Sequence, residues 1–412
     1  MISTDFAPNE SWDDAILSLK LLFQPWKWMR GNDIEQVKRK LLSKLLITNN
    51  KYRISLFLSG RSALYFLLKS LNLPKGSEVL VQAFTCEAVV LPIVELGMKP
   101  IYVDIEADTY SMDYRFLTSK PGNKLTKVLI LQHTFGLTPK YRNKILNLTK
   151  ERKLIVIEDL AHGFNKSIFS PNNQYLISNN FFLLSFGRSK TLSSVFGGAI
   201  ATPQSTINNL PMPSTWFIFQ CLLYKPLTML IKSTYDIYLG KILHKVLNKL
   251  NLLIPEITKK EKKGIYDRLF NKAYPNALAI LLLHQLNKFE QIKQQRAKIC
   301  QIYNQHFPNF ILPSSKPASI PKQQSSNFSL IRYPLLTERR DKILVKVNKQ
   351  NVYLGKWYDE VVAPKDLDQS RVEYEQGSCP NAEKVCKNII NLPTNITEEQ
   401  AKRVLKILND VK

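Results

Sequence analysis

The sequence predicts an α/β protein with a mostly parallel central sheet, and three observations lead there. Short apolar runs alternate with helical patterns from Ile54 to Ala201. Each run is bounded by polar residues, Gly or Pro. The intervals between runs are long enough for the crossover helices that parallel strands require. Taken in order, residues 1–50 carry two amphipathic patterns, Ile16, Leu19, Leu21 and Leu22, then Val37, Leu41, Leu42 and Leu45, which read as a helical arm. Ile54–Leu58, Glu78–Val81, Pro100–Val103, Val128–Leu131, Leu154–Ile157 and Phe181–Leu184 read as buried strands. Residues 277–304 form one long helical pattern, and 328–409 return to mixed α/β. The Ser- and Pro-rich stretch Ser314–Gln324 reads as a loop, and no internal repeat is evident.

Length and composition narrow the class. At about 150 residues per domain, 412 residues suggest two or three domains. With 44% hydrophobic and 10% aromatic residues, disordered and fibrous classes are excluded. Lys and Arg number 58 against 33 Asp and Glu, a net charge of +25 that calls for anionic company: a phosphorylated substrate, a membrane surface or nucleic acid. No nucleic-acid recognition motif supports the last. Five scattered cysteines make neither a disulfide framework nor a zinc site. The start, Met1-Ile2-Ser3-Thr4-Asp5-Phe6, lacks the pattern of a secretory signal, so a cytoplasmic setting is expected.

Three motifs carry chemistry. Ser59-Gly60-Arg61-Ser62 stands between a buried strand and a helical run, where free amides and the helix dipole can hold a phosphate, Ser62 can cap, and Arg61 can add charge. Alone it would equally suit an ordinary turn. Ile157-Glu158-Asp159-Leu160-Ala161-His162 ends a strand, where ligands of open α/β sheets bind. An acid there can pair with a protonated ring nitrogen, or merely cap the next turn. Ser185-Phe186-Gly187-Arg188-Ser189-Lys190 leads to Gly197-Gly198, placing one lysine in a Ser/Gly-rich segment after a strand. A partly desolvated lysine amine can form a Schiff base, although most lysines are simply exposed. His133, at another strand end, suits a structural role better than a pocket-lining one.

In this order the motifs resemble the DegT/DnrJ/EryC1/StrS sugar aminotransferases, of the fold-type-I pyridoxal phosphate class. Ser59 through Leu64 is similar to that family's SGTSAL, Val81 through Thr85 and Gly97 through Ile105 to PAFTF…GATPVFVDID, and Gln132 through Gly136 to VHLYG. Glu158 through His162 resembles EDAAQ, Ser185 through Lys190 SFxxxK, Asn276 through Leu286 the LQAALGLAQL helix, and Ile390 through Thr394 LSLP. The resemblance implies a fold-type-I three-layer sandwich, with a large cofactor-binding domain over 46–270 and a small C-terminal α+β domain over 271–412. It implies that Lys190 holds pyridoxal 5'-phosphate covalently and moves protons, and that Asp159 keeps the pyridine nitrogen protonated. His162 would lie near the phenolic oxygen, while Gly60, Arg61, Ser62 and Ser185 bind the phosphate. It further implies a nucleotide-linked or similarly activated keto sugar as substrate, glutamate as donor, and a homodimer. The sequence departs from the pattern at Arg61, where Thr is usual; at Cys86, where an aromatic residue commonly stacks on the ring; and around Lys272-Ala273-Tyr274-Pro275, where NYRM is expected. A sugar dehydratase of the same fold would carry histidine in place of Lys190, and a non-catalytic relative would lack the lysine.

Residues 204–263 fall outside the resemblance. Trp216 through Tyr224 is apolar, Lys225-Pro226 should break it, and Ile242, Leu243, Val246, Leu247 and Leu250 share a helical face beside Lys241, Lys245 and Lys249. Neither run reaches the roughly 20 apolar residues of a membrane span. The expectation is a peripheral contact with an anionic membrane, or else packing on the protein's own core or on a partner subunit.

Overall fold

The computed structural model describes residues 1–45, 52–119, 123–163, 180–203, 209–307 and 329–409; the Ser314–Gln324 stretch lies outside them. Among the described residues the central sheet has seven strands: β1 (Arg53–Phe57), β2 (Glu78–Gln82), β3 (Lys99–Val103), β4 (Thr126–Gln132), β5 (Ile155–Asp159), β6 (Phe181–Ser185) and β7 (Gly198–Thr202). Their order is β1-β7-β6-β5-β4-β2-β3. All neighbours from β3 to β6 are parallel, and β7 alone runs antiparallel to both β6 and β1. The six strands read from sequence are present with slightly shifted ends. The seventh, Gly-Ala-Ile-Ala-Thr, lacks the bulky β-branched run that marks a strand. The segment from Phe186 to Gly197 forms no crossover helix but a loop closed on itself by the Phe186–Gly197 and Ser194–Phe186 bonds, so the chain turns back.

Helices α1 (Trp12–Leu22), α2 (Asp33–Lys44), α3 (Gly60–Ser70), α4 (Glu87–Glu95), α5 (Tyr114–Ser119) and α6 (Arg142–Glu151) precede β6, with α3 to α6 filling the crossovers. Along β6, Phe181 and Leu183 enter one apolar core while Phe182 and Leu184 enter another. A strand buried on both faces alternates its side chains between two helical layers, which makes the sandwich three-layered. One core joins the sheet to the C-terminal elements; the other joins it to α1, α2, α7 (Thr215–Thr234) and α9 (Asn276–Asn287). Here α8 is Leu239–Lys249 and α10 is Phe289–His306. The single long helix expected over 277–304 is therefore two, because Lys288 at φ −88°, ψ 0° leaves helical geometry. Beyond it, β8 (Arg332–Leu336) pairs antiparallel with β9 (Ile389–Pro393), accompanied by α11 (Arg340–Asn348), α12 (Pro380–Asn388) and α13 (Glu398–Asn409).

The insertion corrects one expectation. Lys225-Pro226 does not break the apolar run, and α7 continues through it. Proline at 226 cannot donate to the carbonyl of Leu222, four residues back. The buried Ser18 hydroxyl of α1 donates to that carbonyl instead, at 2.7 Å. Lys225 is fully buried and paired with Glu10. Phe217, Ile218, Cys221 and Leu222 join the core, so much of the run packs on the protein itself. No described helix is long and apolar enough to cross a membrane.

Candidate active site

The carboxyl ends of β4, β5 and β6 bring three of the predicted residues to one edge of the sheet. Asp159 ends β5. Its Oδ1 accepts the Ala161 amide at 2.9 Å and its Oδ2 accepts the Gln132 side-chain amide, from the end of β4, at 3.1 Å. Burial lifts the carboxyl above its ordinary range, against the pull of the Ala161 amide, the Lys190 ammonium and Gln132. A protonated ring nitrogen opposite it would reverse that lift, since a nearby cation favours the charged carboxylate.

The neighbouring Glu158 serves the fold. Its carboxylate accepts two Arg142 bonds at 2.7 Å, the Asn180 amide at 3.0 Å and faces His133 Nε2 at 3.0 Å. Burial alone would raise its pKa, but the bonds from His133 and Arg142 bring it down to about 2. His133 is thus engaged structurally, the role preferred for it over lining a pocket.

Beside Asp159, α3 begins at Gly60 behind the cap Ser59. Ser62 is not the cap but the third residue of the first turn. Its amide donates to the Ser59 hydroxyl, and its own hydroxyl accepts from the Ser59 amide and donates to the Ser59 carbonyl at 2.9 Å. The Ser62 hydroxyl is therefore taken up within the capping box. The first-turn amides of Gly60 and Arg61 have no intrahelical acceptor and present the positive end of the dipole. Ser185 lies directly against them: a Cβ on Gly60 would meet the Ser185 Cβ and Oγ at 3.0 Å. A Cβ on Gly198 would stand 2.5 Å from the Gly60 nitrogen. Only glycine at both positions leaves the amides and the Ser185 hydroxyl open to a phosphate, and this set fits one.

The Arg61 side chain, expected at the phosphate, turns elsewhere. Its guanidinium pairs with Glu261, donates to the Glu256 carbonyl at 2.8 Å and lies 3.8 Å from Glu87. Burial, with Glu261 and Glu256 adding negative charge and only Arg61 and Lys190 opposing, raises Glu87 to about 7. The guanidinium is held by this negative cluster, and the positive end of α3 offers it no attraction.

Lys190 sits in the loop that joins β6 to β7. Phe186 donates to Gly197 at 2.8 Å, Ser194 to Phe186 at 3.1 Å and Lys190 to Gly187 at 3.1 Å. The Lys190 carbonyl accepts from Asn9, and Glu256 accepts the Ser189 hydroxyl at 2.9 Å. Its ammonium lies 4.9 Å from the centre of the Trp357 ring and within electrostatic reach of Asp159.

His162 is enclosed. Its Nδ1 accepts the Phe135 amide at 3.2 Å, so the proton rests on Nε2, which donates to the Tyr358 hydroxyl at 3.0 Å. Burial, then the Lys190 and Arg332 cations, holds its pKa well below 6.5 and keeps the ring neutral. The ring stacks on Trp357, 5.2 Å away. Trp357 and Tyr358 were not singled out by sequence, yet they supply the aromatic wall missing at Cys86. They come from the C-terminal third, where the Trp357 amide donates to Asn391 at 2.6 Å. Their signal was two adjacent aromatics in a polar stretch, Gly355-Lys356-Trp357-Tyr358-Asp359. Burial, and next the Glu87 charge, push the Cys86 thiol up to about 12, so it stays neutral.

These features match known proteins. The family profile described as the DegT/DnrJ/EryC1/StrS aminotransferase family matches residues 16–210 and 257–409, passing over the segment that holds α7 and α8. The GDP-perosamine synthase of Escherichia coli O157:H7 is 30% identical over 183 residues, 44% of this chain and 48% of that protein. The match thus spans about half the length of that relative. The uncharacterized protein MJ1066 of Methanocaldococcus jannaschii is 25% identical over 88% of this chain and 86% of its own. The structure of NtdA from Bacillus subtilis with bound cofactor PMP superposes at TM-score 0.65 with 20% identity, covering 97% of this chain and 81% of that one. The chain belongs to the DegT/DnrJ/EryC1/StrS aminotransferase family.

Proposed function

We propose that the protein is a pyridoxal-phosphate-dependent aminotransferase that converts the keto group of a nucleotide-linked sugar into an amine, with glutamate as the donor. The observation that carries this reading is the meeting of Asp159, Lys190 and the Gly60–Ser185 cradle at one sheet edge. The cofactor, pyridoxal 5'-phosphate, supplies an electron sink for the substrate's carbanion when bound. Gly60 and Arg61 amides and the Ser185 hydroxyl hold its phosphate; Asp159 faces its ring nitrogen. Lys190 anchors it and carries the proton between the two carbons that exchange hydrogen. Neutral His162, fixed by Phe135 and Tyr358, positions the ring's polar edge without adding a charge. The name of the perosamine synthase relative supports a nucleoside diphosphate sugar, and the surplus of basic residues suits a diphosphate. Glutamate and a homodimer follow the family pattern. The reading also holds the chain at the inner face of an anionic membrane, through the basic insertion of α7 and α8.

The test is direct. The loaded enzyme, given glutamate and a panel of nucleoside-diphosphate keto sugars, should yield 2-oxoglutarate and an amino sugar detectable by mass. Borohydride should fix the cofactor to Lys190, and Lys190→Ala should lose both the adduct and turnover while staying folded. An adduct on another lysine, or turnover in Lys190→Ala, would overturn the assignment.

A further inference from the structure

Thirteen of the seventeen large apolar side chains exposed among the described residues fall within 12–26 and 216–250. On α1 and the turn after it they form one row: Trp12, Ile16, Leu19, Phe23 and Trp26, spaced alternately four and three apart. Phe23 is 75% and Trp26 73% exposed. The opposite face of α1, with Ala15, Ser18 and Leu21, is already buried. The helix is therefore apolar on two sides, and the fold uses one.

Its neighbours expose further apolar side chains. α1 lies antiparallel to α7, since Ser18 bonds Leu222 while Glu10 pairs with Lys225. Trp28 lies 6.5 Å from Phe219, which stacks on the 56%-exposed Trp216 at 5.3 Å, so Trp216 stands at the Trp26 end of the row. On the far side α8 and its C-cap expose Leu239, Ile242, Val246 and Leu250, and His244 packs on Phe6 at 5.0 Å.

The charges around this surface are mostly basic, and its two acids are paired. Residues 15–31 contain no acid and expose Lys20, Lys27 and Arg30. Residues 209–250 contain one acid, Asp236, tied to the N-terminal amine at 3.0 Å and to Asn351 at 2.8 Å. Asp13, at the start of α1, is paired with Lys288 and His284. A two-fold contact between copies would set these basic rims against each other. An anionic lipid headgroup layer would neutralise them while the acyl boundary takes the Trp, Phe and Leu side chains.

We infer that α1, with the outer edge of α8, is the apolar anchor by which this chain docks on an anionic phospholipid surface. This rests on the reading that the insertion attaches the chain to a membrane. It moves the apolar anchoring from the largely buried Trp216–Tyr224 run to a helix outside the insertion, and leaves Lys241, Lys245 and Lys249 the electrostatic share.

The experiment is flotation of the full-length, cofactor-loaded protein with phosphatidylglycerol-containing vesicles and with pure phosphatidylcholine vesicles. Wild type should float with the anionic vesicles. The double variant Phe23→Ser/Trp26→Ser, both sites too exposed to support the fold, should partition at least about tenfold more weakly. Its sedimentation and its turnover in solution should match wild type. The triple variant Lys241→Glu/Lys245→Glu/Lys249→Glu should also float less. If the double variant floats like wild type while the triple variant does not, the α1 anchor is refuted and the insertion reading stands. If wild type floats with neither vesicle, both fall. A change in oligomeric state caused by the double variant would assign the surface to a second copy and refute the lipid anchor.

Discussion

Gly198→Ala probes the cradle most sharply, because the clash it creates is backbone against backbone. The added methyl would sit 2.5 Å from both the Gly60 nitrogen and the Ser59 carbonyl carbon. No rotamer change relieves that overlap. β7 itself is clamped, since Gly198 is paired with Phe57 on one side and Ser185 on the other. The strain must therefore be relieved by moving α3 away from β7, at a cost of about 1–3 kcal/mol, the usual range for overpacking a close-fitting interior. For a chain of 412 residues that is a fall of only about 1–4 °C in Tm. The same displacement separates the Gly60 and Arg61 amides from the Ser185 hydroxyl. The affinity for pyridoxal phosphate should thus fall by roughly tenfold or more, which is what losing one or two charge-assisted bonds implies. Thermal unfolding without cofactor and a spectrophotometric titration with it measure the two effects separately. An unchanged affinity in a variant with lowered Tm would show that the phosphate binds elsewhere. Unchanged values of both would show that β7 and α3 do not approach as closely as described.

Three further outcomes follow from the same geometry. Asp159→Asn should still take up the cofactor but lose turnover by about 10²-fold or more, because a neutral amide no longer favours a charged ring nitrogen; single-turnover kinetics read it, and full activity would reduce Asp159 to a turn residue. Ser18→Ala should destabilise the protein by about 1–3 kcal/mol, since it leaves the buried Leu222 carbonyl beneath Pro226 without a donor; chemical denaturation measures this, and a neutral result would mean that water reaches α7 there. The Glu158 carboxyl titrates near 2 when folded against 4.5 when unfolded, so its stabilisation is complete above about pH 4.5 and is lost as pH falls toward 2. Unfolding free energies across that window should fall less steeply for Glu158→Gln, and parallel curves would refute the assignment.

What the sequence disclosed and what it withheld divide along physical lines. Strands buried on both faces write themselves as apolar runs, so six of seven were legible. The ends of those strands then located Asp159 and the loop of Lys190, because both positions are set by a few neighbouring residues. Trp357 and Tyr358 were not legible. They reach the site through the contact between Gly355 and Asn391, a pairing between distant segments that no local pattern encodes. The continuation of α7 through Pro226 was hidden for the same reason: its remedy, Ser18, is 204 positions away from the carbonyl it satisfies.

Arg61 shows how far a motif's chemistry extends. Its amide lies in the first turn of α3, at the strand–helix junction that the sequence predicts. Its guanidinium is long enough to choose among anions, and the choice falls to Glu87, Glu256 and Glu261, the last 200 positions away. Burial first, then Glu261 and Glu256, raises Glu87 to about 7 against the pull of Arg61 and Lys190, so the guanidinium is committed to this cluster. With the guanidinium held there, the phosphate binding proposed above would rely on the oriented amides and the Ser185 hydroxyl rather than on that side-chain cation. Backbone donors keep their direction whatever the side chains do. On the proposed reading, that is how a chain with arginine where the resemblance has threonine would still hold the cofactor's phosphate.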